Sequence, residues 1–152
     1  DLRMPGLGGV EATLAILRKY PEARIIILST YDWDEDIHLA IQSGAKSYLL
    51  KDTPVEDIAY TIEQVYAGDE SLSEQVRLRL AERSQRQQLT EREREVLEAL
   101  VKGRSNKEIA SRLFISEQTV KSHLKTLFAK LNVSDRTEAA VAAIRHGIVH
   151  LE

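Results

Sequence analysis

The chain has 152 residues, 43% of them hydrophobic and 30% charged, which predicts packed structure in one large or two small domains and excludes global disorder. The sequence contains no cysteine, so disulfides, thiolate metal sites and cysteine nucleophiles are excluded. It also has no apolar run near the roughly 20 residues that span a bilayer, and we expect a cytoplasmic protein.

The net charge of −3 is unevenly distributed. Residues 1–88 carry 10 basic and 15 acidic residues, whereas residues 89–152 carry 11 and 9. An acidic part followed by a locally basic one is consistent with two domains that have different partners, and equally with uneven solvation charge.

Helix and strand signals alternate through residues 1–68. A continuous β-branched run is typical of a strand buried on both faces, and proline and glycine mark helix ends. The alternation predicts a parallel sheet flanked by helices. The predicted elements are a helix at Val10–Tyr20, a strand at Ala23–Ser29, a helix at Glu35–Ser43, a strand at Ser47–Leu50 and a helix at Pro54–Ala67.

Residues 69–88 differ in character from the first part. Ser73–Arg86 could form a helix, but Ser84–Gln88 is purely polar. We therefore interpret 69–88 as a linker, with a domain boundary near Gln88.

Residues 89–152 are predicted to be helical throughout. Two capping boxes, Thr90 with Glu93 and Ser105 with Glu108, mark the first two helices, and Ser116 caps the third. The predicted helices run from Thr90 to Lys102, from Ser105 to Leu113, from Glu117 to Leu131 and from Asp135 to His146.

The run Ser105–Val133 predicts two helices joined by a tight turn. Residues 103–130 hold six basic and two acidic residues, a local charge of +4. A helix pair of this kind can place its second helix in the DNA major groove, and lysines and hydroxyls suit base edges and phosphates. The alternative is an ordinary helical hairpin with a solvated basic face. The outward residues of the second helix are Gln118, Thr119, Lys121, Ser122 and Lys125.

His123 admits two interpretations. It could be a ligand or a general base, but no partner Cys, Asp or second His lies at metal-ligand spacing, which favours a packing or phosphate-facing role. The chain also has no nucleophile triad, glycine-rich phosphate loop or catalytic carboxylate pair, so we do not expect an enzyme.

Residues 89–149 resemble the LuxR-type helix-turn-helix domain of the NarL/FixJ response regulators. Phe114 stands where the general helix-turn-helix pattern has glycine, but this family often lacks that glycine. The resemblance is carried by Leu89-Thr90-Glu91-Arg92-Glu93, Gly103, Ser105 to Ala110, Ile115-Ser116, Thr119-Val120-Lys121, His123, Lys130-Leu131, Arg136 and Ala139.

The resemblance implies double-stranded DNA as a partner, and a homodimer formed through the fourth helix. It implies base contacts by Lys121, Ser122 and Lys125, phosphate contacts by Asn106, Lys107, Thr119 and Arg136, and dimer contacts by Ala139 and Ala142.

Residues 1–68 are similar to the second half of a response-regulator receiver domain, a flavodoxin-like α/β fold with a doubly wound parallel sheet. Asp1 matches the phosphoacceptor, Ser29 the hydroxyl that contacts the phosphoryl group, Tyr48 the switch aromatic and Lys51 the lysine that pairs with the acyl phosphate. The expected architecture is therefore half a receiver followed by an all-α four-helix LuxR-type domain.

Because the chain begins with Asp1 rather than Met, we expect a fragment, a processed product or an incomplete sequence. The family's strand order of 2-1-3-4-5 would leave only the fourth and fifth strands here. The acidic pair that holds Mg²⁺ in the intact parent would precede Asp1, so we expect no complete metal site, no bound cofactor and no phosphorylation of Asp1 in this chain. We interpret Asp32, Asp34, Glu35 and Asp36 as charges favoured by a helix N-terminus.

The function predicted from the sequence is a two-component response regulator that binds specific DNA sequences. In the intact parent it is controlled by a histidine kinase through aspartate phosphorylation. The alternative is a protein-interaction or dimerisation module without phosphorylation control.

Overall fold

A computed structural model describes residues 1–150. The chain divides into two compact units, the first comprising Asp1–Arg83 and the second beginning at Ser84. Among residues 1–150, none of the helices combines the length and the apolar character that crossing a membrane demands.

The first unit is an α/β structure with a two-stranded parallel sheet. Its strands pair in register from Ile26 with Ser47 to Ser29 with Leu50. The elements are α1 (Gly9–Lys19), β1 (Ile26–Ser29), α2 (Asp34–Gln42), β2 (Ser47–Leu50), α3 (Val55–Ala67) and α4 (Glu74–Gln85). Each of the first five lies within a few residues of its prediction, because their boundaries are set by local proline, glycine and β-branched signals.

The stretch that the sequence suggests as a linker contains helix α4. Val76 of this helix is 2% exposed and belongs to the core of the first unit with Ile27, Ile37 and Tyr48. Arg83 forms a buried ion pair with Glu35 at 2.5 Å. The polar composition of 69–88 does not predict this packing. A few apolar side chains and one paired arginine are enough to hold the helix against the first unit.

In the second unit, the described residues up to 150 form four helices around one apolar core. They are α5 (Glu91–Val101), α6 (Asn106–Leu113), α7 (Glu117–Leu131) and α8 (Arg136–Arg145). Helix α7 packs against the other three and is therefore the central element of the unit. The core is formed by Val96, Leu97, Leu100, Ile109, Val120, Leu124, Leu127, Ala139 and Ala143, together with smaller contributions from their neighbours.

The predicted caps of these helices are present. Thr90 with Glu93 and Ser105 with Glu108 form complete capping boxes, and Ser116 accepts a hydrogen bond from the Thr119 backbone N–H. Asp135 caps α8, and its side chain accepts from the Glu138 backbone N–H. These interactions satisfy helix N–H groups that otherwise lack partners, so they set where each helix begins.

Candidate nucleic-acid interface

The burial pattern of α7 separates a packed face from a free one. Val120 and Leu127 are fully buried, and Leu124 is 7% exposed, so these positions turn one side of the helix into the core. Lys121, Ser122 and Lys125, predicted to contact bases, are all exposed. The spacing of 3.6 residues per turn places the lysines on a surface that can enter a groove.

The N-terminus of α7 is shaped by two hydroxyl groups. The Ser116 side chain accepts from the Thr119 backbone N–H at 3.0 Å, and the two hydroxyl oxygens lie 2.8 Å apart. Thr119 is half-buried, so this predicted phosphate contact lies at the edge of the exposed face.

Two more predicted phosphate contacts, Asn106 and Lys107, lie at the N-terminus of α6. Asn106 is half-buried and Lys107 is exposed. The Ser105 backbone N–H and hydroxyl donate to Glu108 at 2.7 Å, and these bonds lower the pKa of Glu108. The Glu108 charge is engaged in the cap, which leaves Lys107 and the free N–H groups of the first turn to attract an anion.

Arg136, also predicted to contact phosphate, points to α6. Its guanidinium donates to Asn106 Oδ1 at 3.3 Å and to the backbone carbonyl of Arg104. The structure therefore brings Asn106 and Arg136 together, although 30 residues separate them in sequence.

Two further predictions concern His123 and α8. His123 is half-buried on α7, and residues 1–150 contain no group of three or more His, Cys, Asp or Glu side chains that could hold a metal ion. Ala139, which the resemblance implies as a dimer contact, is fully buried in the core of its own unit. The outer surface of α8 instead presents Val141, which is 59% exposed, beside the half-buried Ala142.

In the first unit, the predicted switch residues meet at the ends of the two strands. Lys51 Nζ lies 2.5 Å from Asp1 Oδ1, which joins the predicted phosphoacceptor to its predicted cation. Gly9 allows α1 to begin against this segment, because a Cβ there would lie 2.5 Å from the Asp1 carbonyl oxygen. Ser29 is 3% exposed, and its hydroxyl accepts from the Tyr31 backbone N–H at 3.2 Å.

Tyr48, the predicted switch aromatic, is fully buried. Its hydroxyl donates to the Tyr31 carbonyl at 2.6 Å, so the ring is tied to the loop after β1. Burial is the main reason that the pKa of Tyr48 rises to about 12. The phenol therefore stays protonated and continues to donate this hydrogen bond at physiological pH.

A cluster that has no signal in the sequence lies beside these residues. The Arg3 guanidinium lies 4.6 Å from the ring centre of Tyr31 and 4.4 Å from that of Trp33, and the two rings stack at 4.5 Å. Arg3 also pairs with Asp36 at 3.1 Å. About 30 residues separate Arg3 from its partners, so no local spacing could have shown the cluster.

The acidic residues at the start of α2 do more than place negative charge at a helix N-terminus, because several of them are buried and paired with arginine. Asp34, Glu35 and Asp36 are each 4% exposed, and Asp32 pairs with Arg79 at 2.5 Å. These carboxylates are buried or paired with arginine, and Asp1 pairs with Lys51. Among residues 1–150, acidic side chains are therefore not grouped as magnesium ligands.

Comparison with known families also distinguishes two regions of the chain. Residues 1–63 match the response regulator receiver domain, and residues 87–143 match the bacterial regulatory proteins of the luxR family.

Similar proteins span nearly the whole chain. An uncharacterized transcriptional regulatory protein of Bacillus subtilis, YhcZ, is 41% identical, and the match covers 97% of this chain and 73% of the relative. The response regulator protein VraR of Staphylococcus epidermidis is 36% identical, with 98% and 74% covered.

Solved structures are similar as well. The response regulator ChrA of a heme-sensing two-component system is 39% identical, with a TM-score of 0.50 over 97% of this chain and 74% of ChrA. A structure of RcsB dimers bound to DNA has 26% identity and a TM-score of 0.64, covering 93% of this chain and 71% of RcsB. The chain belongs to the response regulators that join a receiver domain to a LuxR-family DNA-binding domain.

Proposed function

We propose that this chain binds specific sequences of double-stranded DNA as a homodimer and thereby regulates transcription in the cytoplasm. The observation that carries the proposal is the arrangement of α7. Its apolar face packs in the core of the second unit, while Lys121, Ser122 and Lys125 are exposed to solvent.

The chemistry of this face fits the major groove. Lysine ammonium groups donate to guanine O6 and N7, and a serine hydroxyl can donate or accept at a base edge. Lys107 and the first turn of α6 would hold the adjacent phosphates, which fixes the register of α7 without reading sequence.

The dimer would place two copies of α7 on one face of the duplex. Related half-sites then lie roughly 34 Å apart, one helical turn of DNA. We propose that Val141 and Ala142 of α8 face the second copy, because their side chains reach the surface. The charge-introducing variant V141E should weaken DNA-dependent dimerisation in sedimentation velocity, while E138Q, an exposed change on the same helix, should not.

Binding can be measured with a library of randomised duplexes. The chain is used to select duplexes from the library, and affinity for an enriched duplex is followed by fluorescence anisotropy. K121A and K125A should each weaken binding by about 1–3 kcal/mol and relax the sequence preference. K102A, which removes an exposed lysine at the end of α5, is the matched control.

Three outcomes would contradict the proposal. These are the absence of any enriched sequence, binding that is insensitive to salt, and K121A and K125A variants that bind as tightly as K102A. Retained promoter association in the double variant K121A/K125A would instead favour a protein-interaction module.

We further propose that Asp1, Ser29, Tyr48 and Lys51 form the phosphorylation switch of the intact parent, which a histidine kinase and Mg²⁺ would serve. The support is the contact between Asp1 and Lys51 and the buried position of Ser29 and Tyr48. In the intact parent, changing the aspartate to Asn should abolish labelling by acetyl phosphate, and changing Lys51 to Ala should slow it. Equal labelling of the Asp variant and the unchanged parent would refute the assignment.

A further inference from the structure

Arg136 and Asn106 occupy equivalent places in two helices. Each is the first residue of its helix, Arg136 in α8 and Asn106 in α6. The Arg136 guanidinium donates one N–H to Asn106 Oδ1 at 3.3 Å and another to the carbonyl of Arg104, two residues before α6. The contact with Asn106 is partly buried, and the contact with the Arg104 carbonyl is exposed.

This contact decides how the Asn106 side chain is oriented. A guanidinium only donates hydrogen bonds, so the carboxamide must turn its oxygen, not its nitrogen, to Arg136. The Nδ2 group then lies on the other side of the carboxamide. Within residues 1–150, no group accepts a hydrogen bond from it. Two N–H donors are therefore presented at the start of α6, beside the exposed Lys107.

We propose that Arg136 is a positioning residue and does not itself contact the phosphate. It fixes the start of α6 and the Asn106 carboxamide so that Nδ2 donates to a DNA phosphate oxygen. This inference rests on the proposed DNA binding. The resemblance attributes a phosphate contact to both Asn106 and Arg136, whereas in this proposal only Asn106 makes one.

The two roles differ in their dependence on salt. A lysine or arginine on a phosphate releases counterions, and each such contact adds about 0.9 to the slope of log affinity against log salt. Asn106 is neutral, so its contact adds affinity without adding to the slope. A positioning arginine therefore changes the affinity but not the slope.

The test uses the full chain and the duplex selected by the unchanged protein, with affinity measured between about 50 and 200 mM salt, a range over which phosphate contacts show clearly. The variants are N106A, R136A, R136K and N106A/R136A, with K107A as the control for a charged phosphate contact. Far-ultraviolet circular dichroism verifies that each variant is folded.

We expect N106A and R136A each to weaken binding about tenfold, the usual scale for a hydrogen bond to a charged group. The double variant should be no weaker than either single variant, because both remove the same contact. Their salt slopes should equal that of the unchanged chain, whereas K107A should lower the slope by about 0.9. R136K keeps the charge but cannot donate to both carbonyl groups in the same fixed geometry, so it should behave like R136A.

The proposal fails if R136A lowers the slope as K107A does, if R136K binds like the unchanged chain, or if the losses from N106A and R136A multiply. Each of these results would make Arg136 a direct phosphate contact. A failure of the proposed function is distinguishable, since the unchanged chain would then show no sequence-selective, salt-dependent binding. Should R136A not fold, R136K and N106A still separate the two roles.

Discussion

The ammonium group of Lys130, near the end of α7, lies 2.6 Å from the carboxylate of Glu93, in the first turn of α5. The same carboxylate accepts the Thr90 backbone N–H at 2.8 Å and so completes the capping box of α5. Lys130 also donates to the Gln88 carbonyl at 3.1 Å. One buried carboxylate thus joins the end of the proposed recognition helix to the start of the domain.

The first prediction follows from the ionisation of Glu93. Burial raises its pKa, but hydrogen bonds from Lys130 and Thr90 outweigh burial and lower the pKa below the ordinary 4.5. A lowered folded-state pKa stabilises the fold above the unfolded value, and this stabilisation is lost as the pH falls through the folded value. E93Q should therefore lower the free energy of unfolding by about 3 kcal/mol at neutral pH.

E93Q should also flatten the loss of stability below pH 4.5, the ordinary value of this carboxyl. Hydrogen exchange in α5 and α7, measured across this pH range, reports the second unit directly. E95Q is the control. It removes the carboxylate of the exposed Arg92–Glu95 ion pair and should change the free energy of unfolding little. Equal effects of E93Q and E95Q would contradict the prediction.

The second prediction concerns the turn between α6 and α7. Phe114 has a left-handed conformation with φ 54° and is 94% exposed, so it carries strain without burying its ring. F114G should raise the free energy of unfolding by about 0.5–1 kcal/mol, the strain removed less the entropy cost of glycine. Asn132 has the same φ, but asparagine tolerates this region, so N132G should gain less.

Thermal unfolding followed by circular dichroism compares these two variants. A destabilising F114G, or an equal gain in N132G, would show that conformational strain at Phe114 is not the controlling factor.

The third prediction separates stability from DNA binding on α7. Ser116 caps the helix, whereas Ser122 is exposed on its outer face. S116A should lower the free energy of unfolding by about 1 kcal/mol. S122A should leave unfolding unchanged and weaken binding to the selected duplex. If S122A destabilises the fold as much as S116A, its hydroxyl serves the fold rather than the DNA.

The fourth prediction tests whether α4 belongs to the first unit. Arg83 and Glu35 side chains are 10% and 5% exposed, so removing one charge leaves the other buried without its partner. E35Q should lower the free energy of unfolding by about 3 kcal/mol. Trp33 is the single tryptophan of the chain, and its fluorescence in urea reports this unit.

D32N is the matched control for E35Q. Asp32 also pairs with an arginine of α4, but both side chains are more than a third exposed, so the loss should stay below about 1 kcal/mol. An unchanged midpoint in E35Q would mean that α4 is held by its apolar contacts alone.

Local signals explain why so much of the second unit is predictable. A capping box joins residues three apart, and the apolar period of α7 repeats within a turn. Thr90, Ser105 and Ser116 therefore mark helix starts from sequence alone, and the outward position of Lys121 and Lys125 follows from the same period. Phe114 is recognisable as a turn residue, although its conformation cannot be inferred from its type.

Most contacts between residues distant in sequence leave no local signal, although the resemblance implies the meeting of Asp1 and Lys51. The polar stretch 69–88 favours a linker interpretation, because nothing near Arg83 reveals Glu35, 48 residues earlier. Ala139 fits a dimer surface equally well before the fold is known, because a small apolar residue suits both a core and an interface. Sequence does not say which side of α8 faces inward.

Periodicity and short spacings in the sequence predict most of the elements and the outward position of Lys121 and Lys125 on α7, and the family is indicated by the resemblance of its motifs. The tertiary structure specifies which polar groups distant in sequence contact each other. In the folded chain Arg136 turns to Asn106, Arg3 lies over Tyr31 and Trp33, and Lys130 reaches Glu93. Hydrogen bonds and ion pairs act over a few ångströms in space, so only the packed fold can specify their partners.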